Sequence, residues 1–113
     1  MTTIFPSTSV PVLALFSGKG FTKDMYDALL KSVGWKVSHP DGGIIHIASF
    51  DSEGDIHVAD LWESAEKLNA FVSQKLAPAM QKLSIPMPHA EVYPVDNVDA
   101  YQAVMRYVNR EAK

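Results

Sequence analysis

The sequence has no cysteine and no long hydrophobic run, and each absence excludes a class of function. Without cysteine among its 113 residues, the chain cannot form disulfides, iron–sulfur clusters or thiolate zinc sites, and it has no cysteine nucleophile. The longest unbroken apolar run covers residues 10–16, whereas a membrane-spanning helix needs roughly 20 such residues. We therefore expect no membrane partner.

Positive charge is also scarce. Ten Lys and Arg residues stand against thirteen Asp and Glu residues, for a net charge of −3, and no basic run occurs. Because binding to a phosphate backbone depends on clustered basic side chains, we expect no nucleic-acid partner. The first ten residues, MTTIFPSTSV, lack the charged and apolar regions of a secretory signal, so we expect a cytoplasmic location.

The composition is typical of one soluble globular domain, with 47% apolar and 20% charged residues. Residues 1–9 are rich in Ser and Thr and show no periodicity, which predicts a loose leader. We expect the folded domain to cover residues 10–95 and a C-terminal helix to cover residues 96–113.

Hydrophobic periodicity predicts four strands and three helices. The strands lie at residues 10–17, 44–50, 56–62 and 89–93, and the helices at residues 22–33, 64–83 and after residue 96. Pro78 should kink or split the second helix. The order βαββαβ, followed by a helix, predicts an α+β ferredoxin-like fold with an antiparallel four-stranded sheet.

The turn between the second and third strands sets their register. A three-residue loop at residues 52–54 would place Gly54 in the left-handed conformation and pair Asp51 with Asp55. The cross-strand pairs that follow from this loop are His46 with Asp60, Ala48 with Val58, and Ile44 with Trp62.

One face of the predicted sheet combines many apolar side chains with a few polar ones. Its members are Val12, Ala14, Phe16, Ile44, His46, Ala48, Phe50, Ile56, Val58, Asp60, Trp62, Glu91 and Tyr93. The opposite face is smaller and more aliphatic, and we expect it to lie beneath the helices. The first face would then be open, with too much apolar area for a monomer, which predicts a homodimer that encloses a core or cavity.

The polar and aromatic members of this face form the candidate site. His46 and Asp60 are the candidate catalytic residues, as a base and its orienting partner. The candidate ligand-binding residues are Trp62, Phe50, Glu91 and Tyr93. The same residues also have structural interpretations, since a His–Asp pair can hold a register and a Trp can fill a core. No metal site is predicted, because His46 and His57 fall on opposite faces and no His-x-His spacing occurs.

The segment at residues 59–64, with the sequence ADLWES and followed by Leu68 and Phe71, resembles a motif of the dimeric α/β-barrel superfamily. This superfamily includes the antibiotic-biosynthesis monooxygenases, and the likeness covers residues 10–95. The strands at residues 46–50 and 57–62 are similar to those of small uncharacterised members. The resemblance implies a homodimer with its ligand space between the sheet and the helices or inside the barrel.

The resemblance also bears on cofactors. Haem-degrading members carry a histidine nine or ten residues beyond the tryptophan, where this chain has Phe71 and Val72. Those members and the cofactor-free oxygenases also place an asparagine near the ligand, often on the first strand, and residues 10–17 contain none. The missing asparagine counts against an oxygenase activity. Because neither Phe71 nor Val72 can ligate iron and no phosphate-binding Gly motif occurs, we expect no cofactor, whether haem, flavin or transition metal.

Two functions of different classes follow, and the sequence leaves open whether there is turnover. The first is a homodimer that binds a small aromatic or apolar ligand in a pocket lined by His46, Asp60 and Trp62. The alternative is a cofactor-independent monooxygenase or isomerase acting on an aromatic, polyketide-like substrate. A third, purely structural interpretation is a sealed barrel without a cavity, and the presence of a cavity separates it from the other two.

Overall fold

The computed structural model describes residues 10–35 and 39–108. The predicted leader, residues 1–9, and the end of the predicted C-terminal helix, residues 109–113, lie outside this range. In chain order the elements are β1 (Val12–Gly18), α1 (Lys23–Val33), β2 (Gly43–Phe50), β3 (Ile56–Trp62), α2 (Ala65–Phe71), α3 (Ala77–Lys82) and β4 (His89–Pro94). A π-helical segment, Val72–Leu76, joins α2 to α3, and a 3₁₀ helix, Gln102–Arg106, follows β4.

The four strands form one antiparallel sheet in the order β2-β3-β1-β4. Together with the βαββαβ order, this confirms the predicted ferredoxin-like fold. The predicted C-terminal α-helix is replaced, in the described part of the chain, by the short 3₁₀ helix. The division into a leader, a domain and a C-terminal helix stays a prediction, as does the cytoplasmic location. Within the described ranges, no helix combines the length and the hydropathy needed to cross a membrane.

The β2–β3 hairpin has the predicted loop. The N–H of Asp51 donates to the carbonyl of Asp55 at 3.0 Å, and Gly54 has a φ of 84°. This loop places His46 opposite Asp60, as predicted. At the far end of the hairpin, a bulge shifts the pairing so that Gly43, and not Ile44, lies opposite Trp62. The bulge adds one residue to β2, and that extra residue is what the alternation pattern could not reveal.

The helices begin and end where local chemistry predicts. Thr22 caps α1 by accepting the N–H of Met25 at 3.3 Å, and Gly34 ends the helix in the left-handed conformation, with a φ of 73°. The second predicted helix is interrupted by the π-helical segment just before Pro78. Proline lacks an N–H and crowds the carbonyl four residues earlier, so a wider turn accommodates it.

The helices cover the face of the sheet that was predicted to be open, and they leave the opposite face exposed. The helices cover the side that carries Val12, Ala14, Ile56, Asp60 and Trp62, each at most 6% exposed. We call this side the helix face. The other side, here called the open face, carries apolar side chains exposed by 36% to 59%, namely Leu13, Leu15, Ile45 and Ile47.

The prediction that the first side is open was therefore wrong. Strand alternation determines which residues share a face, but it does not determine which face the helices cover. The gap between a sheet and its helices is filled best by large side chains, and Trp62 and Phe71 fill it here. A second buried cluster extends this core along the helices, with members Phe21, Leu29, Ile56, Ala79, Met80 and Ile85.

Beyond β4 the chain leaves the domain as an arm, which we define as residues 96–108. The N–H of Val95 donates to the carbonyl of Pro11 at 2.9 Å, and this bond holds the base of the arm. Further along, Tyr101 is 74% exposed and Met105 is 58% exposed. The arm therefore covers neither face of its own sheet.

Candidate functional site

A cavity of about 60 Å³ lies between the helix face and the helices α1, α2 and α3. Its wall is mostly apolar, and six aromatic residues contribute to it: Phe16, Phe21, Tyr26, Trp35, Trp62 and Phe71. Among the described residues that line it, the titratable ones are Tyr26, His46 and Asp60. The surface that these residues expose to the cavity is apolar, so the cavity is an apolar space beside a buried polar cluster.

Three secondary-structure elements bring the polar groups together. His46 comes from β2, Asp60 from β3 and Tyr26 from α1. His46 Nδ1 lies 2.6 Å from Asp60 Oδ1, and His46 Nε2 lies 2.7 Å from the Tyr26 hydroxyl. We call this hydrogen-bonded set the relay. The side chain of Asp60 is 5% exposed and that of His46 is 21% exposed, so the histidine is the more accessible of the two.

Asp60 uses both of its carboxylate oxygens. The indole Nε1 of Trp62 donates to Oδ2 at 3.2 Å, while Oδ1 bonds to His46. An ionised carboxylate only accepts hydrogen bonds, so Nδ1 of His46 carries a hydrogen. Asp60 therefore orients both the imidazole and the indole, and the predicted pairing of His46 with Asp60 is present in the structure.

The hydroxyl of Tyr26 stays protonated at neutral pH. Burial, followed by the negative charges of Asp60 and Asp27, raises the pKa of Tyr26 to about 12. The sequence analysis did not single out Tyr26, which lies within the first predicted helix. A buried tyrosine hydroxyl and a buried histidine each need a hydrogen-bond partner, and this requirement was a signal for pairing Tyr26 with His46.

Aromatic rings continue from the relay along the cavity wall. The ring centroids of Trp35 and His46 lie 4.5 Å apart, and Trp35 also contacts Phe71 edge-on, with 5.0 Å between the ring centroids. Phe71 in turn lies 5.4 Å from Trp62. The predicted ligand-binding residue Trp62 thus lies in the cavity wall together with Trp35, which the sequence interpretation had not singled out.

Phe50 lies beside the relay and not in the cavity wall. Its ring contacts that of Tyr26 edge-on, with 5.8 Å between the ring centroids, and packs against the core. It therefore supports the position of the tyrosine. A direct contact between Phe50 and a ligand stays a prediction.

Glu91 and Tyr93 lie on the open face, away from the relay. They pair with Leu15 and Leu13 of β1, whose side chains are exposed on that side. The Tyr93 hydroxyl donates to Glu91, and His89 Nε2 lies 2.9 Å from the same carboxylate. These bonds lower the pKa of Glu91, and the bond to Glu91 raises the pKa of Tyr93. The structure therefore separates the predicted site residues into two groups, and ligand binding by Glu91 and Tyr93 stays a prediction.

The open face also carries a wide, shallow depression next to Glu91. It has a volume of about 380 Å³, and its polar lining residues are Ser17, Ser49, His57, His89 and Glu91. Across residues 10–35 and 39–108, no three His, Asp or Glu side chains are arranged to hold a metal ion. The helix-face cavity is the better-enclosed of the two sites.

Comparisons with known proteins bear on the fold. No protein-family model matches the chain, and no curated protein matches its sequence. Among solved structures, a conserved protein from Methanosarcina mazei Go1 is similar, with a TM-score of 0.59 and 12% identity over 80% of this chain and 97% of that one.

Two further neighbours carry descriptions of activity. One is a putative antibiotic biosynthesis monooxygenase from Chloroflexus aurantiacus J-10-fl, with a TM-score of 0.55 and 15% identity over 80% of this chain and 97% of that one. The other is a mutant of SnoaB, a cofactor-independent oxygenase from Streptomyces nogalater, with a TM-score of 0.50 and 10% identity over 82% of this chain and 96% of that one. The chain therefore has the ferredoxin-like fold of antibiotic biosynthesis monooxygenase-like proteins.

Proposed function

We propose that this protein is a homodimer that binds a small aromatic or apolar ligand in the helix-face cavity, beside the relay. The observation that carries the proposal is an apolar cavity whose wall includes the partly buried His46 and the buried Asp60. Small-molecule sites are concave and mostly apolar.

The partial exposure of His46 supports a binding role over a purely structural one. A His–Asp pair that only holds the hairpin register needs no contact with a cavity. Asp60, whose side chain is 5% exposed, fits that role, whereas the more exposed His46 does not. His46 borders the cavity together with Tyr26, and because both of its ring nitrogens are bonded within the relay, it would contact a ligand through its ring.

The size of the cavity limits the ligand. An engineered apolar cavity of about 150 Å³ binds benzene, whereas this one measures about 60 Å³. A ligand the size of one aromatic ring therefore needs some outward movement of the wall. A ligand with three fused rings needs far more, so we favour a small ligand.

The homodimer is supported by the apolar open face. Leu13, Leu15, Ile45 and Ile47 are exposed by 36% to 59% in the single chain, which is a contiguous apolar patch of the kind that marks an interface. Another cover available within the chain would be the C-terminal segment, folding back over its own sheet. The exposure of Tyr101 and Met105 in the arm argues against that cover.

Sedimentation at micromolar concentration tests the dimer. We expect Ile47→Lys to dissociate it, because a charge on the open face would lose its hydration in the complex. Glu66→Lys, on the exposed side of α2, is the matched control and should leave the dimer intact. A wild-type monomer at all concentrations would contradict the dimer.

Binding of indole and toluene, followed by amide chemical shifts in the full-length protein, tests the site. We expect the shifts to map to the cavity wall, and Val72→Trp to abolish them by filling the cavity while the far-UV spectrum is unchanged. The control His57→Ala alters the open face and should bind normally. Shifts confined to the open face, or no shifts at all, would contradict the proposed site.

A second candidate is a cofactor-independent monooxygenase or isomerase acting on an aromatic, polyketide-like substrate. His46 would be the base, Asp60 its orienting partner and Trp62 a stacking surface. The relay geometry favours it, and so does the fold likeness to a cofactor-independent oxygenase. Oxygen consumption with anthrone as substrate would support it if His46→Ala stopped turnover without dissociating the dimer. A rate equal to that of buffer alone would contradict it.

A further inference from the structure

We propose that the arm of each protomer packs against the partner protomer, where it continues the interface made by the two open faces. This inference rests on the proposed function, because it presupposes the homodimer. It adds a second contact surface, at the end of the chain, that packing of sheet on sheet does not include.

The arm exposes large side chains that a folded chain normally covers. Its large apolar and aromatic residues are exposed by 42% to 78%, and they are Val98, Tyr101, Val104, Met105, Tyr107 and Val108. Single exposed apolar residues are common on protein surfaces, whereas a contiguous group of them marks a contact site. We therefore expect another surface to cover the arm.

The hydrogen bonds of the arm do not tie it to its own domain. In the described part of the chain, its backbone bonds run from the Val104 N–H to the Tyr101 carbonyl and from the Tyr107 N–H to the Val104 carbonyl. Its side-chain hydrogen bond and its cation–π contact also join arm residues to one another. The bond from Val95 to Pro11 is therefore the last one that ties this end of the described chain to the sheet.

The base of the arm adjoins the open face. Val95 directly follows β4, in which Tyr93 pairs with Leu13 of β1. These two residues belong to the open face and are exposed by 47% and 37%. A partner seated on the open face therefore reaches the point where the arm leaves the sheet, and the arm can continue the same interface.

The apolar area of the open face is small for a permanent dimer. Its large side chains, exposed by 36% to 59%, are Leu13, Leu15, Ile45, Ile47 and Tyr93. Since a fully exposed large side chain presents roughly 200 Å², this set exposes roughly 400 Å². A permanent homodimer buries roughly 1,000 Å² or more per partner, about 65% of it apolar. The arm adds roughly 700 Å² by the same measure, and the two surfaces together meet that requirement.

The charge of the arm favours a protein partner over a lipid surface. Helical segments that lie on membranes are rich in Lys and Arg, whereas residues 96–108 contain one basic residue, Arg106, and two acidic ones, Asp96 and Asp99. A second copy of this chain offers an exposed apolar sheet, and in a twofold dimer both arms meet the partner in the same way. The second copy is therefore the occupant that we assign to this surface.

The lack of cysteine makes the contact between chains measurable, because one introduced cysteine carries one nitroxide label. Mixed dimers are prepared from ¹⁵N-labelled wild-type chains and unlabelled full-length Met105→Cys chains that carry the nitroxide. We expect amide peaks from the open face and the arm of the wild-type chain to lose most of their intensity, and to recover when ascorbate reduces the nitroxide. The same label on Glu66→Cys, on the exposed side of α2, is the control and should leave these peaks unchanged.

A charge in the arm should also weaken the dimer. We expect Met105→Lys to raise the dissociation constant of the dimer about tenfold, because the ammonium group would lose hydration against an apolar surface. Ala70→Lys, at an exposed position of α2, is the matched control and should leave the dissociation constant unchanged. Sedimentation of the full-length proteins over a range of concentrations measures both.

The outcomes separate this inference from the proposed function. A dimer without intensity loss in the wild-type chain, or with an unchanged dissociation constant in Met105→Lys, would overturn the inference and leave the homodimer standing. Binding of the labelled arm to phosphatidylserine vesicles, without intensity loss between chains, would overturn it in favour of a lipid surface. A wild-type monomer at all concentrations would overturn both the inference and the proposed homodimer.

Discussion

The β2–β3 hairpin carries two His–Asp pairs of almost the same length, one on each face of the sheet. His46 and Asp60 lie 2.6 Å apart on the helix face, with side chains 21% and 5% exposed. His57 and Asp51 lie 2.8 Å apart on the open face, with side chains 56% and 39% exposed. The distances are alike, so the surroundings decide what each pair contributes. An exposed pair contributes little to stability, whereas breaking a buried one leaves an uncompensated polar group.

The two aspartates also differ in what their second oxygen does. In Asp60 it accepts the indole N–H of Trp62 and so joins the core. In Asp51, Oδ1 accepts the backbone N–H groups of Glu53 and Asp55, each at 3.0 Å, and so closes the hairpin loop. One aspartate therefore organises a site, and the other organises the turn that sets the register of both pairs.

The largest expected effect comes from removing the buried carboxylate. Asp60→Ala leaves Nδ1 of His46 and the indole N–H of Trp62 without acceptors, and we expect a loss of about 3 kcal/mol of unfolding free energy. Denaturant unfolding measures it. His57→Ala breaks the exposed pair from its histidine side, without disturbing the loop that Asp51 closes, and should cost less than about 0.5 kcal/mol. Equal losses in the two variants would show that the surroundings do not distinguish the pairs.

The next effect appears at alkaline pH. The pKa of Tyr26 is raised from 10.0 to about 12 in the folded state, so the folded state holds this proton more tightly than the unfolded state does. The resulting stabilisation, about 2 kcal/mol, is present below pH 10 and is lost as the pH rises to 12. Unfolding free energies between pH 9 and pH 12 should fall more steeply for the wild type than for Tyr26→Phe.

Tyr93 supplies the open-face counterpart of this measurement. Its pKa is also raised, by the hydrogen bond to Glu91, but the pair is solvated and screened. We therefore expect Tyr93→Phe to follow the wild-type pH profile closely. A Tyr26→Phe profile parallel to the wild type would mean that the hydroxyl is not desolvated.

A smaller effect measures the coupling inside each pair. In a double-mutant cycle, we expect His46→Ala and Asp60→Ala to be non-additive by about 1 kcal/mol or more, because the double variant leaves neither group unpaired. The same cycle on His57 and Asp51 should give less than about 0.5 kcal/mol. Additive losses at His46 and Asp60 would show that these side chains are not bonded in solution.

The smallest effect concerns the loop that both pairs share. Gly54 has a φ of 84° and open space around its Cβ position, so Gly54→Ala introduces strain without a clash. We expect a loss of about 1 kcal/mol in unfolding free energy. The exposed loop variant Ser52→Ala is the control. A neutral Gly54→Ala would mean that the left-handed conformation is not required at this position.

Local rules were enough to predict the parts of the fold that local chemistry determines. The bounds of β3, the loop around Gly54 and the pairing of His46 with Asp60 all depend on residues close in sequence or joined by one tight turn. The strand order also follows, because few topologies satisfy the βαββαβ pattern.

The parts that the sequence did not reveal depend on packing between distant elements. The side of the sheet that α1 covers decides whether Tyr26 meets His46, and alternation along β2 is the same in either case. The contact between Trp35 and His46 likewise needs the end of α1 to pass over the sheet. For the same reason, Glu91 and Tyr93 were grouped with the wrong face, since β4 is joined to the rest of the sheet only by long connections.

The π-helical segment also has a consequence for how this chain tolerates changes in length. Phe71, Val72 and Leu76 all line the cavity at or beside this segment, and Met80, which is 1% exposed, follows within α3. Each residue of an α-helix turns the chain by about 100°. Because a π turn holds one residue more than an α turn, deleting one exposed residue here, such as Gln74, would convert the segment to a narrower α turn and leave Met80 in the core. A deletion within α3 ahead of Met80 would instead turn that side chain out of the core by that angle. The cavity wall on this side therefore tolerates the loss of one residue in the π-helical segment but not within α3.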